Sequence, residues 1–316
     1  MFQLYKSRDF GAYFQDTFGF LKQHGRHFFK NFLIVNGIFL LILATMFYYF
    51  FKVYQDVIIN SMLVNRDPNA LSNYFNDNLG TIILYGSIGF FIIIIVSVLN
   101  YAFVPIYFKL YDRHRGQDFG SKELFDELKA NIEKLIIFIL TTIPVGLVVI
   151  IIAAIVSLIL TVTLIGIPFL LFVGAIISLF FHATLMEYIN TDKGVFECYG
   201  YAFDMCFQKF FPAIGGIAVF FLIVFVFQMA VGIVQLIITS ILGVTTLTDP
   251  NAIQVVHETW SFSFIVLFLS QIFSHIMNLL TSAISQINQT IIYYSLKEEK
   301  ENIYAKTTID EIGTGL

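Results

Sequence analysis

The sequence predicts an all-α membrane protein. Six transmembrane helices form three repeats of an interfacial amphipathic helix plus a transmembrane hairpin, with both termini cytoplasmic. Three observations predict this. Hydrophobic residues make up 58% of the 316-residue chain and charged residues only 13%, about half the charged share of a soluble domain. Apolar stretches long enough to cross about 30 Å of hydrocarbon recur along it. Sixteen of the eighteen Lys and Arg residues fall on one side of a single topology, and such asymmetry sets orientation.

The spans are expected at 31–53, 81–108, 135–160, 165–187, 211–240 and 262–294, within one polytopic domain covering 1–316. From Leu135 to Phe181 there is no charge. That run is too long for one crossing, so it must turn, and Thr163, Gly166 and Pro168 place the turn. Basic residues collect in the amino-terminal segment, between Lys109 and Lys134, at Lys193 and Lys209, and in the tail at 295–316. Only Lys52 and Arg66 lie on the opposite side. No basic start, short apolar core and small-residue cleavage site opens the chain, so the first span is expected to serve as an uncleaved insertion signal.

Three cytoplasmic segments carry helical stripes with spacings of three and four. Phe10, Phe14, Phe18, Leu21 and Phe28 share a face in the first. Leu124, Phe125, Leu128, Ile132 and Leu135 form the second, with Glu127 on its wet side. Phe196, Tyr199, Phe203, Phe207 and Phe210 form the third. Such faces either anchor in the lipid interface or cover the ends of the bundle. The resulting repeat units are 9–108, 118–187 and 194–294. Asp9-Phe10-Gly11 and Asp118-Phe119-Gly120 open the first two.

The outer loops of units one and three share Asp-Pro-Asn-Ala, at 67–70 and 249–252. Asp can cap a helix and Pro suits its first position. A short outer helix is therefore expected at 68–74 and another at 250–258. Trp260 then falls at the interface, where aromatic anchors collect.

The sixth span carries Gln271, His275, Asn278, Ser282, Ser285 and Gln289 along one stripe. Polar groups facing lipid would go unsatisfied, so the stripe must face the bundle or a wet cavity. Gln228 and Gln235 on the fifth span are its natural partners, and Asn36 and Asn100 could join them. Two readings stand: hydrogen bonds that hold helices together, or a path for a polar solute or lipid headgroup. His275 is the one ionisable side chain expected deep in a span. His182 and Glu187 are expected to pair locally at the end of the fourth. No buried acid–base pair is expected to couple proton movement.

No metalloprotease, Walker or nucleophile-elbow motif is present. His24 and His27 lack partners at metal-ligand spacing. Gly86-Ser87-Ile88-Gly89 reads as small-residue packing. Cys198 and Cys206 are expected as free, buried thiols. These readings predict no enzyme, no cofactor, no metal and no nucleic-acid partner; the partners are the lipid bilayer and a protein of a membrane complex.

In layout the chain resembles YciC-like six-span bacterial membrane proteins and the membrane domain fused to some glycerophosphodiester phosphodiesterases. The opening Asp9-Phe10-Gly11 with its aromatic helix, the basic turn Lys109 to Arg115 and the segment Gly194 to Phe211 carry this resemblance. It implies the bacterial inner membrane and transfers no functional residue. The reading that follows is a scaffold or modulator of a membrane assembly or of the lipid environment. The alternative is a permease or lipid-handling transporter using the polar face of the sixth span.

Overall fold

The computed structural model describes residues 2–53, 56–57, 61, 65–241 and 250–304; side chains at 38–40, 43, 47, 51, 164–165, 167 and 250–264 lie outside that description. Among the described residues all extended regular structure is helical. The helices are α1 (Phe10–Val53), α2 (Ala70–Arg113), α3 (Ser121–Ala130), α4 (Ile132–Val162), α5 (Leu170–Asn190), α6 (Val195–Gln208), α7 (Phe210–Ile241) and α8 (Pro250–Glu301). Five stretches are long and apolar enough to cross a membrane: α2, α4, α5, α7 and Ile265–Glu301 of α8. The expected span at 31–53 is the second half of α1, where several side chains are outside the description.

Helix starts follow from local chemistry. The Ala12 amide donates to Asp9 Oδ1 at 2.8 Å, and the Asn69 amide to Asp67 Oδ1 at 2.9 Å. These short acidic side chains satisfy donors that an α-helix leaves open at its first turn. The helices α3 and α6 begin alike. The Gly120 amide donates to Glu123 Oε2 at 2.9 Å, and the Gly194 amide to Glu197 Oε2 at 3.3 Å. Each glutamate sits at the third helical position and reaches back to the residue before the helix.

The expected short outer helix at 68–74 is not a separate element. Once Asp67 has capped the start, the helix runs from Ala70 to Arg113 as one element, with Pro105 inside it omitting a single backbone hydrogen bond. The same holds for 250–258, the first turns of α8. Asp249 and the side chain of Trp260 lie outside the described residues. The first amphipathic segment likewise runs without a break into α1. Only the second and third segments form helices of their own, broken at Asn131 and Lys209. At the first break, Asn131 Nδ2 donates to the Glu127 carbonyl at 2.8 Å.

The charge-free run turns where Thr163, Gly166 and Pro168 place it. A 3-10 segment, Leu164–Phe169, joins α4 to α5. Gly166 is required there by contact, because a Cβ would lie 2.1 Å from the Leu160 carbonyl oxygen.

The chain divides into two compact units. Unit 1 comprises 1–35, 100–225 and 281–316; unit 2 comprises 36–99 and 226–280. Unit 1 has an aromatic core in which Phe20, Phe28, Phe103, Tyr107 and Phe108 are sealed from solvent. Phe28 meets Tyr107 edge-on at 4.9 Å, and Phe20 stacks on Phe108 at 4.8 Å, arrangements that the ring quadrupole favours. In unit 2, Tyr49 packs against Tyr85 and Tyr48 against Phe268.

Gly166→Ala is expected to lower the melting temperature of the detergent-solubilised protein, since overpacking against fixed backbone costs about 1–3 kcal/mol. Gly232→Ala, whose Cβ would meet no atom within 4 Å, is expected to leave it unchanged or higher. Paired thermal unfolding curves check both.

Candidate functional site

The strongest constellation in unit 1 is built on Glu187, near the carboxyl end of α5. Its side chain is fully buried. Lys193 Nζ donates to Oε1 at 2.6 Å. Lys297 Nζ and the Tyr293 hydroxyl each donate to Oε2 at 2.6 Å. The loop after α5 and the last turns of α8 thus meet on one carboxylate. A buried charge costs several kcal/mol unless paired and hydrogen-bonded, and this one is doubly paired. Tyr201 of α6 completes the group. Lys193 lies 4.3 Å and Lys300 4.2 Å from its ring centre, within cation–π range. Its hydroxyl donates to Glu301 at 2.5 Å. Burial lowers the Lys193 amine, but the bond and charge of Glu187 outweigh it and raise the amine above its ordinary range.

This arrangement corrects two sequence expectations. His182 and Glu187 do not pair. His182 Nε2 instead meets Thr290 Oγ1 at 2.8 Å. His182 is fully buried in α5. A buried acid–base pair does exist, Glu187 with Lys297. One physical reason underlies both: His182 and Glu187 of α5 each find a partner on α8, more than a hundred residues away.

A second group lies between α2 and α3. Glu127 accepts from Arg113 at 2.8 and 3.2 Å, and Lys109 lies 2.9 Å away. Glu127 is therefore not on a wet face; it turns inward beside Leu124 and Leu128, while Phe125 and Ile132 point out. Burial alone raises its carboxyl, but Arg113, Lys109 and Asn131 outweigh burial and hold it at about 2, below the ordinary 4.5.

The amino-terminal segment is a tied strap. Arg8 is buried, with its guanidinium donating to the carbonyls of Leu4 at 2.8 Å and Gln3 at 2.6 Å and to Asp16 at 2.7 Å. The Arg8 amide donates to Ser295 Oγ at 2.9 Å. The two histidines of α1 serve packing. His27 Nε2 meets the Phe119 carbonyl at 2.8 Å and Nδ1 the Tyr107 hydroxyl at 2.9 Å. A carbonyl only accepts, so Nε2 carries the proton and Nδ1 accepts from Tyr107. His24 bridges Tyr111 and Gln117.

The polar stripe of α8 is engaged at several positions. In unit 2, Gln235 Nε2 donates to Gln271 Oε1 at 2.6 Å, and Gln228 Nε2 to Asn278 Oδ1. In unit 1, Ser178 donates to Gln289 at 3.0 Å and Asn288 to Thr17 at 3.1 Å. Ser282 accepts from Gln286, one turn on, at 3.4 Å. His275 Nε2 and Ser285 Oγ are buried without a hydrogen-bond partner among the described residues.

The aromatic stripes divide. On α6, Phe196, Phe203 and Phe207 are more than half exposed, and Phe211 of α7 follows them at 76%. Tyr199 instead turns inward with Cys198, Ala202, Met205 and Cys206. On α1, Phe10 and Phe18 are exposed, yet Phe14 and Phe18 stack on Phe220 of α7 at 5.1 and 5.7 Å, and Phe28 belongs to the core. Both cysteines are free and buried; burial pushes Cys198 up to about 11 and Cys206 up to about 12.

Among the described residues no group of three His, Cys, Asp or Glu side chains is placed to hold a metal. No family model, curated protein or solved structure matches the chain.

Glu187→Gln strands Lys297 in a buried site and is expected to cost about 3–5 kcal/mol of stability. Thermal unfolding in detergent reads this as a large fall in melting temperature. Glu127 predicts a pH dependence. Its folded value lies below the unfolded one, so its contribution is complete above pH 4.5 and is lost as pH falls towards about 2. The melting-temperature difference between the natural protein and Glu127→Gln should be flat above pH 4.5 and shrink below it.

Proposed function

We propose that this chain is a non-enzymatic, multi-pass membrane protein that scaffolds or modulates a membrane assembly or its lipid surroundings. Six crossings place both termini in the cytoplasm of a bacterial inner membrane. The three cytoplasmic segments present outward phenylalanines as interfacial anchors: Phe10 and Phe18 on α1, Phe125 on α3, and Phe196, Phe203 and Phe207 on α6.

One observation carries the preference over a permease. Four polar side chains of α8 bond to other helices: Gln271 and Asn278 to α7, Gln289 to α5, Asn288 to α1. A conduit needs polar groups free to exchange bonds with a solute, whereas groups bonded across helices act as glue. The orientation is supported by how charge divides. Sixteen of the eighteen Lys and Arg residues belong to unit 1, and unit 2 has only Lys52 and Arg66.

The test pairs two variants. Phe196→Ser, Phe203→Ser and Phe207→Ser together remove exposed rings and should preserve the melting temperature while abolishing recovery of any stoichiometric protein partner in gentle detergent. Gln271→Leu with Asn278→Leu should leave that recovery intact. Proteoliposomes that take up an amino acid, a sugar or a glycerophosphodiester saturably, and lose uptake in the second variant, would overturn the proposal.

A further inference from the structure

Unit 2 contains an elongated apolar cleft between α1 and α2, with a volume of about 590 Å³. That volume lies within the 300–1,000 Å³ typical of small-molecule sites. Its α1 wall runs from Thr45 to Val53, with Val57 beyond the helix end, and its α2 wall runs from Leu71 to Ile92. At 1.5 Å per residue the α1 wall is about 12 Å long, under half of a hydrocarbon core of about 30 Å. The walls are aliphatic and aromatic, and Tyr49, Tyr74 and Tyr85 supply the polar edge.

Charges of both signs border the two walls in sequence at the end nearest the α1–α2 connection. Lys52 and Asp56 flank the last α1 residues of the wall; Arg66, Asp67 and Asp77 flank the first α2 residues. These are the Lys, Arg, Asp and Glu residues of segment 36–99, and all five lie at this one end of the cleft. No ion pair joins them among the described residues, and Lys52, Asp56, Arg66 and Asp77 are exposed. Cations beside carboxylates complement a headgroup that carries phosphate and ammonium together. A purely anionic headgroup would face more carboxylates than cations.

We infer that this cleft binds one acyl chain of a zwitterionic glycerophospholipid, with its phosphate towards Lys52 and Arg66 and its ammonium towards Asp56 and Asp77. The inference deepens the lipid-modulating half of the proposed function and rests on that reading. It names a ligand and a place that the aromatic anchors do not. One position allows a clean test. Gly86 lines the cleft, and a Cβ there would meet no atom within 4 Å. A larger side chain at Gly86 therefore fills the cleft without striking protein, in a helix interior where replacing glycine is favourable.

The experiment uses the full chain in phosphatidylcholine nanodiscs containing a trace of phosphatidylethanolamine or phosphatidylglycerol with a diazirine in the acyl chain. Mass spectrometry maps the crosslinks. The exposed face of α4, at 147–159, supplies the bulk-lipid baseline. The phosphatidylethanolamine probe is expected to label 45–57 and 71–92 above that baseline. Gly86→Leu should bring labelling to baseline, and Gly80→Leu, open but outside the cleft, should not. Cleft labelling at baseline in the natural protein, labelling unchanged in Gly86→Leu, or equal labelling by the phosphatidylglycerol probe would each overturn the inference. The scaffold reading would still stand or fall by its partner recovery and uptake assays.

Discussion

A carboxylate removed from water must be paired, and in this protein the pairing of Glu187 organises the end of unit 1. Lys193, Lys297 and Tyr293 converge on it from the loop after α5 and from α8. Tyr201 links that cluster to α6 through two lysines and Glu301. Apolar contact alone would let these helices slide, because lipid tails solvate leucine as well as a neighbouring helix does. A charge with fixed donors fixes register. The same constraint explains Glu127 between Lys109 and Arg113, and Arg8 closing the amino-terminal strap on its own carbonyls.

It also shapes the less polar part of the chain. Asn and Gln side chains on α8 find amide or hydroxyl partners on α7, α5 and α1. The outward surfaces of α4 and α7 carry almost nothing polar, and α6 presents phenylalanine. These amides are thus engaged with other helices, Asn278 while still exposed, and most groups left outward on α4, α6 and α7 suit hydrocarbon or its boundary. That division favours a protein that acts through its outer surfaces over one that acts through a central route.

The membrane class was legible because composition and length of apolar runs depend on single residues, not on their distant neighbours. The turn at Gly166 was legible for a local reason too, since Thr163, Gly166 and Pro168 are all helix-ending residues in one short stretch. The partnership of Gln228 and Gln235 with α8 followed from spacing on two faces that had to hide. Glu187 with Lys297 was not legible. Each looks like an ordinary charge near a helix end, and nothing local says that 110 positions of chain bring them together. Faces were misread where aromatics lie on both sides of a helix: α1 buries Tyr13, Phe20 and Phe28 while exposing Phe10 and Phe18. Capping motifs at Asp67 marked true helix starts, but capping says nothing of where a helix ends, so the separate outer helix at 68–74 was expected where one long helix forms.

The central claim is that the polar face of α8 is bonded to neighbouring helices and lines no water-filled path. Single cysteines at positions 271, 275 and 278, in a chain with Cys198 and Cys206 replaced by alanine, can be challenged with a water-soluble maleimide in sealed membrane vesicles and again after opening them. The account predicts that all three stay unmodified from either side, while a cysteine at exposed Asp77 reacts. Modification of two or more of the three α8 positions by the aqueous reagent would contradict it.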